Sequence, residues 1–251
     1  MSKAGEVSEI GIDIGGTFTD VVCRRPGRPD TILKLPTTRS EPGLAVLQAI
    51  EQLSAEVPPE TIARFVHGTT VATNAVLERK GAKVGILTTE GFRDVLEIGR
   101  QIRNTLYDVI LEPQTPVFLA PRARRLEVRE RIDSHGNILI PLDERSLMDA
   151  VDRLVGDGVE AIAICFLFSF LEPSHEHLAR DLIVERYPDV AISISSDVDP
   201  AFREYERTLV TAFDAYIKPI VDGYLDRLEA NLRTAGVPAP LQVMQIGRAH
   251  V

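Results

Sequence analysis

The chain has 251 residues, 44% hydrophobic and 26% charged, with a formal net charge of -9 at pH 7. This is the composition of a soluble globular protein, long enough for one large domain or two smaller ones. The acidic balance excludes a sequence-independent grip on nucleic acid, which needs surplus Lys and Arg to displace counterions. The basic cluster from Arg122 to Arg131 sits among glutamates and reads as a solvated face. Met1 to Glu9 lacks the apolar core of a secretory signal, and the longest apolar run, Ala161 to Leu171, is too short to span a bilayer. Cys23 and Cys165 lie in apolar runs without metal-ligand neighbours, so both read as buried thiols of a reducing compartment, and the cytoplasm is expected.

In chain order, Glu9 to Arg24 predicts two strands around a Gly15-Gly16 turn, with Ile10, Ile12 and Ile14 alternating before it and Val21 and Val22 after. Thr31 to Leu35 predicts a third strand, and Pro42 opens a helix with Leu44, Val46, Leu47, Ile50 and Leu53 on one face. A short strand at Phe65-Val66 precedes a helix over Ala72 to Arg79, ended by Gly81, and Lys83 to Leu87 forms a buried strand. Tyr107 to Ile140 is proline-rich and aperiodic, and reads as an excursion or small lobe. Helices are then expected over 143–155 and 175–186, with strands over 160–168 and 191–195. Glu206 to Ala235 predicts one long helix, or two divided at Pro219. Alternating strands and helices predict an α/β fold with a mainly parallel sheet and an antiparallel opening hairpin.

The sharpest segment is Asp13-Ile14-Gly15-Gly16-Thr17-Phe18-Thr19-Asp20. A carboxylate ends a buried strand, two glycines permit a tight turn whose N–H groups approach an anion, and Thr17 and Thr19 add hydroxyls. Asp13 can orient the waters of a magnesium ion. The blander reading is a Gly-Gly hairpin with a capped turn. The segment is not a Walker loop, because no Gly-Lys-Ser/Thr follows. Nor is it the dinucleotide fingerprint, because its glycines join two strands. A second segment, His67-Gly68-Thr69-Thr70-Val71-Ala72-Thr73-Asn74, runs from a strand into a helix whose free N–H groups favour an anion. Capping alone could account for Thr69 or Thr70, and His67 alone could be a structural histidine. His175, Glu176 and His177 follow Pro173 at a helix start, where capping and solvation explain them better than a metal.

A phosphate-holding hairpin followed by a strand and a helix resembles the sugar kinase, actin and heat-shock ATPase superfamily. The two segments, together with Gly81 to Asp94, Leu96 to Gln101 and Phe202 to Thr208, resemble the N-terminal region of the hydantoinase A/5-oxoprolinase family. The resemblance implies a ribonuclease H-like (actin-like ATPase) lobe plus a second α/β segment. It divides the chain into an N-terminal domain over 9–200 and the start of a second domain over 201–245.

It further implies ATP-dependent opening of a small cyclic amide such as 5-oxoproline or a hydantoin, through phosphorylation of the ring carbonyl oxygen. A hydantoinase B-type subunit or domain would complete hydrolysis, making a hetero-oligomer. On this resemblance Asp13 and His67 are the catalytic candidates, with Asp13 serving Mg2+ through water. Gly15, Gly16, Thr17, Thr19, Thr69, Thr70 and Asn74 hold ATP. Arg100, Glu204 and Arg207 are candidates for substrate or interdomain contacts, or for surface salt bridges. Family members diverge after Gln245, and residues 246–251 back-translate to a sequence resembling a sequencing adapter, so a truncated fragment, inactive alone, is expected. Competing readings are the ATP-using subunit of an acetone or acetophenone carboxylase, a non-catalytic nucleotide-binding regulator, and a structural module.

Overall fold

The computed structural model describes residues 7–15, 17–37, 43–102, 107 and 119–245. The expectations for Gly16, Pro42 and residues 246–251 lie outside the described residues. The chain divides into two compact units, Met1–Glu78 with Ile220–Val251, and Arg79–Pro219.

The first unit opens with the antiparallel strands β1 (Ser8–Ile14), β2 (Phe18–Arg24) and β3 (Thr31–Pro36). Helix α1 (Gly43–Leu53), strand β4 (Ile62–Thr69) and helix α2 (Val71–Leu77) follow. β4 runs parallel to β1. It is longer than the Phe65-Val66 core suggests, because its polar end, His67 and Thr69, is buried as fully as its apolar start. In β1 the residues alternate between core and surface, placing Ile10, Ile12 and Ile14 on one face of the sheet. That face packs on Val46, Ala49, Ile50 and Leu53 of α1 and on Tyr224, Leu228 and Leu232 near the chain's end.

The second unit is built on strands β5 (Val84–Thr89), β6 (Arg125–Val128), β9 (Ala161–Cys165) and β10 (Ala191–Ile194). They form a parallel sheet in the order β10-β9-β5-β6. Between and after them lie helix α3 (Val95–Ile98), the ribbon of β7 (Arg131–Ile132) with β8 (Ile138–Ile140), and helices α4 (Glu144–Gly156), α5 (Ser174–Arg186) and α6 (Ser195–Val198). Every residue of β5 and β9 is buried, as expected of a parallel sheet covered on both faces. The Asp143 carboxylate accepts the Ser146 N–H at 3.1 Å and so starts α4.

Helix α7 (Glu204–Thr234) is continuous through Pro219. The division between the units falls just after this proline. Strand β11 (Leu241–Gln245) then pairs parallel with β4, giving the first sheet the order β11-β4-β1-β2-β3.

Three expectations need correction. The excursion over 107–140 contributes a strand, β6, to the end of the second sheet beside β5. Its basic cluster is not wholly solvated either: Arg125 is buried, donating to the Ala120 carbonyl and to Glu97. Gly81 does not end α2, whose C-cap is Glu78. It is required by packing instead, since a Cβ there would lie 2.1 Å from the Tyr216 ring, held beneath by the Ala82 N–H on the Tyr216 carbonyl. A Gly81→Ala change should therefore destabilise residues 79–219 by about 1–3 kcal/mol, as overpacking does. Urea denaturation followed by circular dichroism measures this, and an unshifted midpoint would contradict it.

Candidate functional site

The carboxyl ends of three parallel strands, β1, β4 and β11, meet at one edge of the first unit's sheet. Open α/β sheets commonly bind ligands at such edges. The register sets Asp13 between Asp20 on β2 and Gly68 on β4, with Met244 of β11 beside Gly68. Asp13 and Asp20 both lie on the sheet face away from the core, exposed, and Asp20 pairs with Lys34 at 3.1 Å.

The β1–β2 turn begins at Gly15, whose N–H donates to the Phe18 carbonyl at 3.0 Å. A Cβ at Gly15 would sit 3.0 Å from that same oxygen, so the turn needs its glycine for close approach. The Gly15 N–H is thus used within the turn. Thr17 is exposed beyond it, and its carbonyl accepts the Thr37 N–H at 2.9 Å. Thr19 points the other way: it is buried, with its hydroxyl 2.8 Å from that of Thr37. It fixes the turn from beneath rather than adding a hydroxyl to its mouth.

On the neighbouring segment, Thr69 is buried and accepts the Val71 N–H at 3.2 Å. Thr70 occupies the N-cap position of α2 without a side-chain cap bond, and its hydroxyl receives Asn74 Nδ2 at 3.2 Å. α2 has only 7 residues, so its dipole contributes little, and the hairpin turn is the stronger element.

His67 lies in the core rather than at the mouth. It is fully buried, with Nε2 2.7 Å from the Tyr224 hydroxyl. Burial pushes the Tyr224 hydroxyl up to about 12, so it stays protonated and donates. Burial also lowers the His67 pKa, only partly opposed by the Ile12 carbonyl and by Asp13. His67 is therefore neutral, its Nδ1 buried without an acceptor in good hydrogen-bond geometry among the described residues. Tyr224 was invisible to motif reading, because 157 residues separate it from its partner.

This arrangement has a pH consequence. Below the ordinary histidine value of 6.5 the unfolded chain takes up a proton that native His67 refuses. Its contribution is complete above that value and is lost as pH falls through the native one, by at most about 1.4 kcal/mol per pH unit. The stability gap between the natural chain and a His67→Gln variant should narrow between about pH 7.5 and about pH 5.5. Denaturation at the two pH values measures it; a constant gap would contradict the assignment.

The remaining candidates lie in the second unit. Arg100 pairs with Glu206 at 2.7 Å on the surface, and Glu204 is exposed at the start of α7. Arg207 is no surface ion pair: it is buried, donating to the Phe166 and Ala201 carbonyls and stacking over Phe170. The solvated reading fails for His175 and Glu176 as well. His175 Nδ1 lies 2.7 Å from buried Glu130, which also accepts the Thr89 hydroxyl. Glu176 is wholly buried beneath α6. Both cysteines are buried, and burial pushes the Cys165 thiol up to about 12.

The sheet topology, with its likeness to solved structures, is that of a mixed α/β protein of the actin-like ATPase type, with mostly parallel sheets. Residues 9–187 match the model of the hydantoinase/oxoprolinase N-terminal region. The chain belongs to that family. It is 36% identical to caprolactamase subunit alpha of Pseudomonas jessenii over 98% of its own length and 36% of that protein's. It is 35% identical to the acetophenone carboxylase gamma subunit of Aromatoleum aromaticum, over 94% of its length and 34% of the relative's. The crystal structure of ATP-dependent caprolactamase from Pseudomonas jessenii superposes with a TM-score of 0.80 at 33% identity, covering 94% of this chain and 35% of that one. The chain thus spans about a third of the length of the relatives it matches.

Proposed function

We propose that this chain is the N-terminal part of the ATP-using subunit of an enzyme that opens a small cyclic amide by phosphorylating its ring carbonyl oxygen. The observation that carries the reading is the convergence of Asp13, the Gly15–Thr17 turn and the Gly68–Thr70 segment at one sheet edge, in a family whose matched members include an ATP-dependent caprolactamase. A five-membered lactam resists water, and phosphorylation turns its oxygen into a leaving group. Catalysis of phosphoryl transfer is mostly positioning and neutralisation of charge.

In this reading Gly15 shapes the turn, and Gly16, Thr17, Thr70 and Asn74 are assigned to the phosphates. Thr19 and Thr69 hold the two backbones in place from within. His67, locked by Tyr224, sets the end of β4 and acts through Gly68 rather than on the reacting atoms. The Asp13 carboxylate, with Asp20 opposite it, is the hard oxygen donor set that a water-bridged Mg2+ prefers. Arg100, Glu204 and Arg207 are assigned to the junction between an N-terminal domain over 9–200 and a second domain opening over 201–245. A hydantoinase B-type partner completes the hydrolysis in a cytoplasmic hetero-oligomer. Among the described residues no helix is long and apolar enough to cross a membrane.

Likeness to the acetophenone carboxylase gamma subunit supports a second reading, in which the phosphorylated oxygen belongs to an enol or to bicarbonate. The deciding experiment uses the complete subunit with its partner and follows ATP hydrolysis. Stimulation by 5-oxoproline, hydantoin or caprolactam, with ring-opened product, supports the amide reading. Stimulation by acetone or acetophenone only, with bicarbonate, replaces it. The 251-residue chain alone should turn over neither.

A further inference from the structure

At the opposite end of the first sheet, beside the start of β1 and β4, lies a cavity of about 450 Å³ lined by Ser8, Arg25, Glu56, Glu60, Ile62 and Pro238, among others. That volume falls within the range of small-molecule sites. Arg25 lines it with a side chain only 8% exposed. Its Nη2 donates to Thr31 Oγ1 and to Glu56 Oε2, each at 3.0 Å. Its Nε and Nη1 are buried with no hydrogen-bond partner among the described residues. Buried unpaired donors on a cation are costly and call for an explanation, such as a ligand.

Glu56 reaches Arg25 from the surface, with its own side chain 65% exposed. Tethered to its backbone, it takes Nη2 and leaves Nη1 unmet. A free carboxylate could take both in the bidentate fork that guanidinium groups favour. Glu56 can be displaced, because its exposed carboxylate returns to water while the incoming carboxylate keeps the buried Arg25 guanidinium paired. Glu60, which also lines the cavity, supplies a negative charge suited to an ammonium group, and Ile62 and Pro238 supply apolar contact for a short chain.

We propose that this cavity is a second ligand site, distinct from the phosphate edge, for a small amino acid. Its carboxylate displaces Glu56 from Arg25, and its ammonium faces Glu60. The site stands without any ATP chemistry. Only one link rests on the proposed function: the product of opening a cyclic amide belongs to this ligand class, which would make the site a sensor of product.

The test titrates the 251-residue chain with 6-aminohexanoate, without nucleotide, and follows amide and arginine Nε–H resonances. Saturable shifts are expected at Ser8, Arg25, Thr61 and Ile62, and their loss in Arg25→Met. Glu56→Gln, which removes the competing carboxylate, should tighten binding about two- to five-fold, and Glu60→Gln should weaken it. The Glu56→Gln result stands even if Arg25→Met fails to fold. Absence of saturable shifts at these residues, unchanged affinity in Glu56→Gln, or equal binding of hexanoate would overturn the proposal.

Discussion

Replacing Glu176 with alanine should destabilise residues 79–219 by about 3–5 kcal/mol, the range seen when one partner of a buried polar or charged network is removed. Glu176 Oε1 accepts the Phe166 N–H at 2.8 Å and the Ser195 hydroxyl at 2.6 Å, while Oε2 accepts the Ser196 N–H at 2.8 Å. Those donors belong to the end of β9 and the start of α6, so one carboxylate ties α5 to both. Bulk water does not reach these donors, because Glu176 and Ser195 are both 0% exposed. Glutamine keeps one acceptor oxygen and turns an amide toward the remaining donors, so Glu176→Gln should fall between alanine and the natural chain. Calorimetry on the three proteins checks the order. An alanine variant within about 0.5 kcal/mol of the natural chain, as for an ordinary surface change, would show that the network contributes nothing.

The second large effect is functional. Asp13→Asn in the complete subunit should lower substrate-dependent ATP hydrolysis by roughly 10²–10³-fold, the effect of removing one preorganised electrostatic group. Folding should be nearly unchanged, because Asp13 is exposed, lies beside Asp20 and Gly68, and has no paired cation among the described residues. Thermal unfolding and activity measured on the same preparations separate the two effects. A variant that is fully active with the same unfolding profile would remove Asp13 from the site.

Much of this architecture is legible in the sequence because it rests on local physics. Alternating Ile10, Ile12 and Ile14, a Gly-containing turn and Val21 dictate the opening hairpin, and Asp143 marks the start of α4. What escapes the sequence is what depends on distant partners. β6 begins with Arg125, a poor core residue until Glu97 and the Ala120 carbonyl neutralise it. His175 and Glu176 look like a solvated helix start until Glu130, Ser195 and Phe166 close around them. Gly81 resembles a helix stop, yet its reason is the ring of Tyr216 far along the chain. At the candidate site the sequence pattern locates the β1–β2 hairpin and the end of β4 but not the side-chain directions. Thr19 and His67 turned out to face the core, because the strand period of two places them opposite Asp13 and Gly68.

The most direct test of the central claim, that the β1–β2 turn and the Gly68–Thr70 segment form a phosphate-holding edge, is an amide NMR titration of the 251-residue chain with Mg-ATP. Binding should be weak, and the shifts should centre on Gly15, Gly16, Thr17, Gly68 and Thr70 while sparing the Arg25 cavity. Shifts elsewhere, or none at millimolar nucleotide, would contradict it.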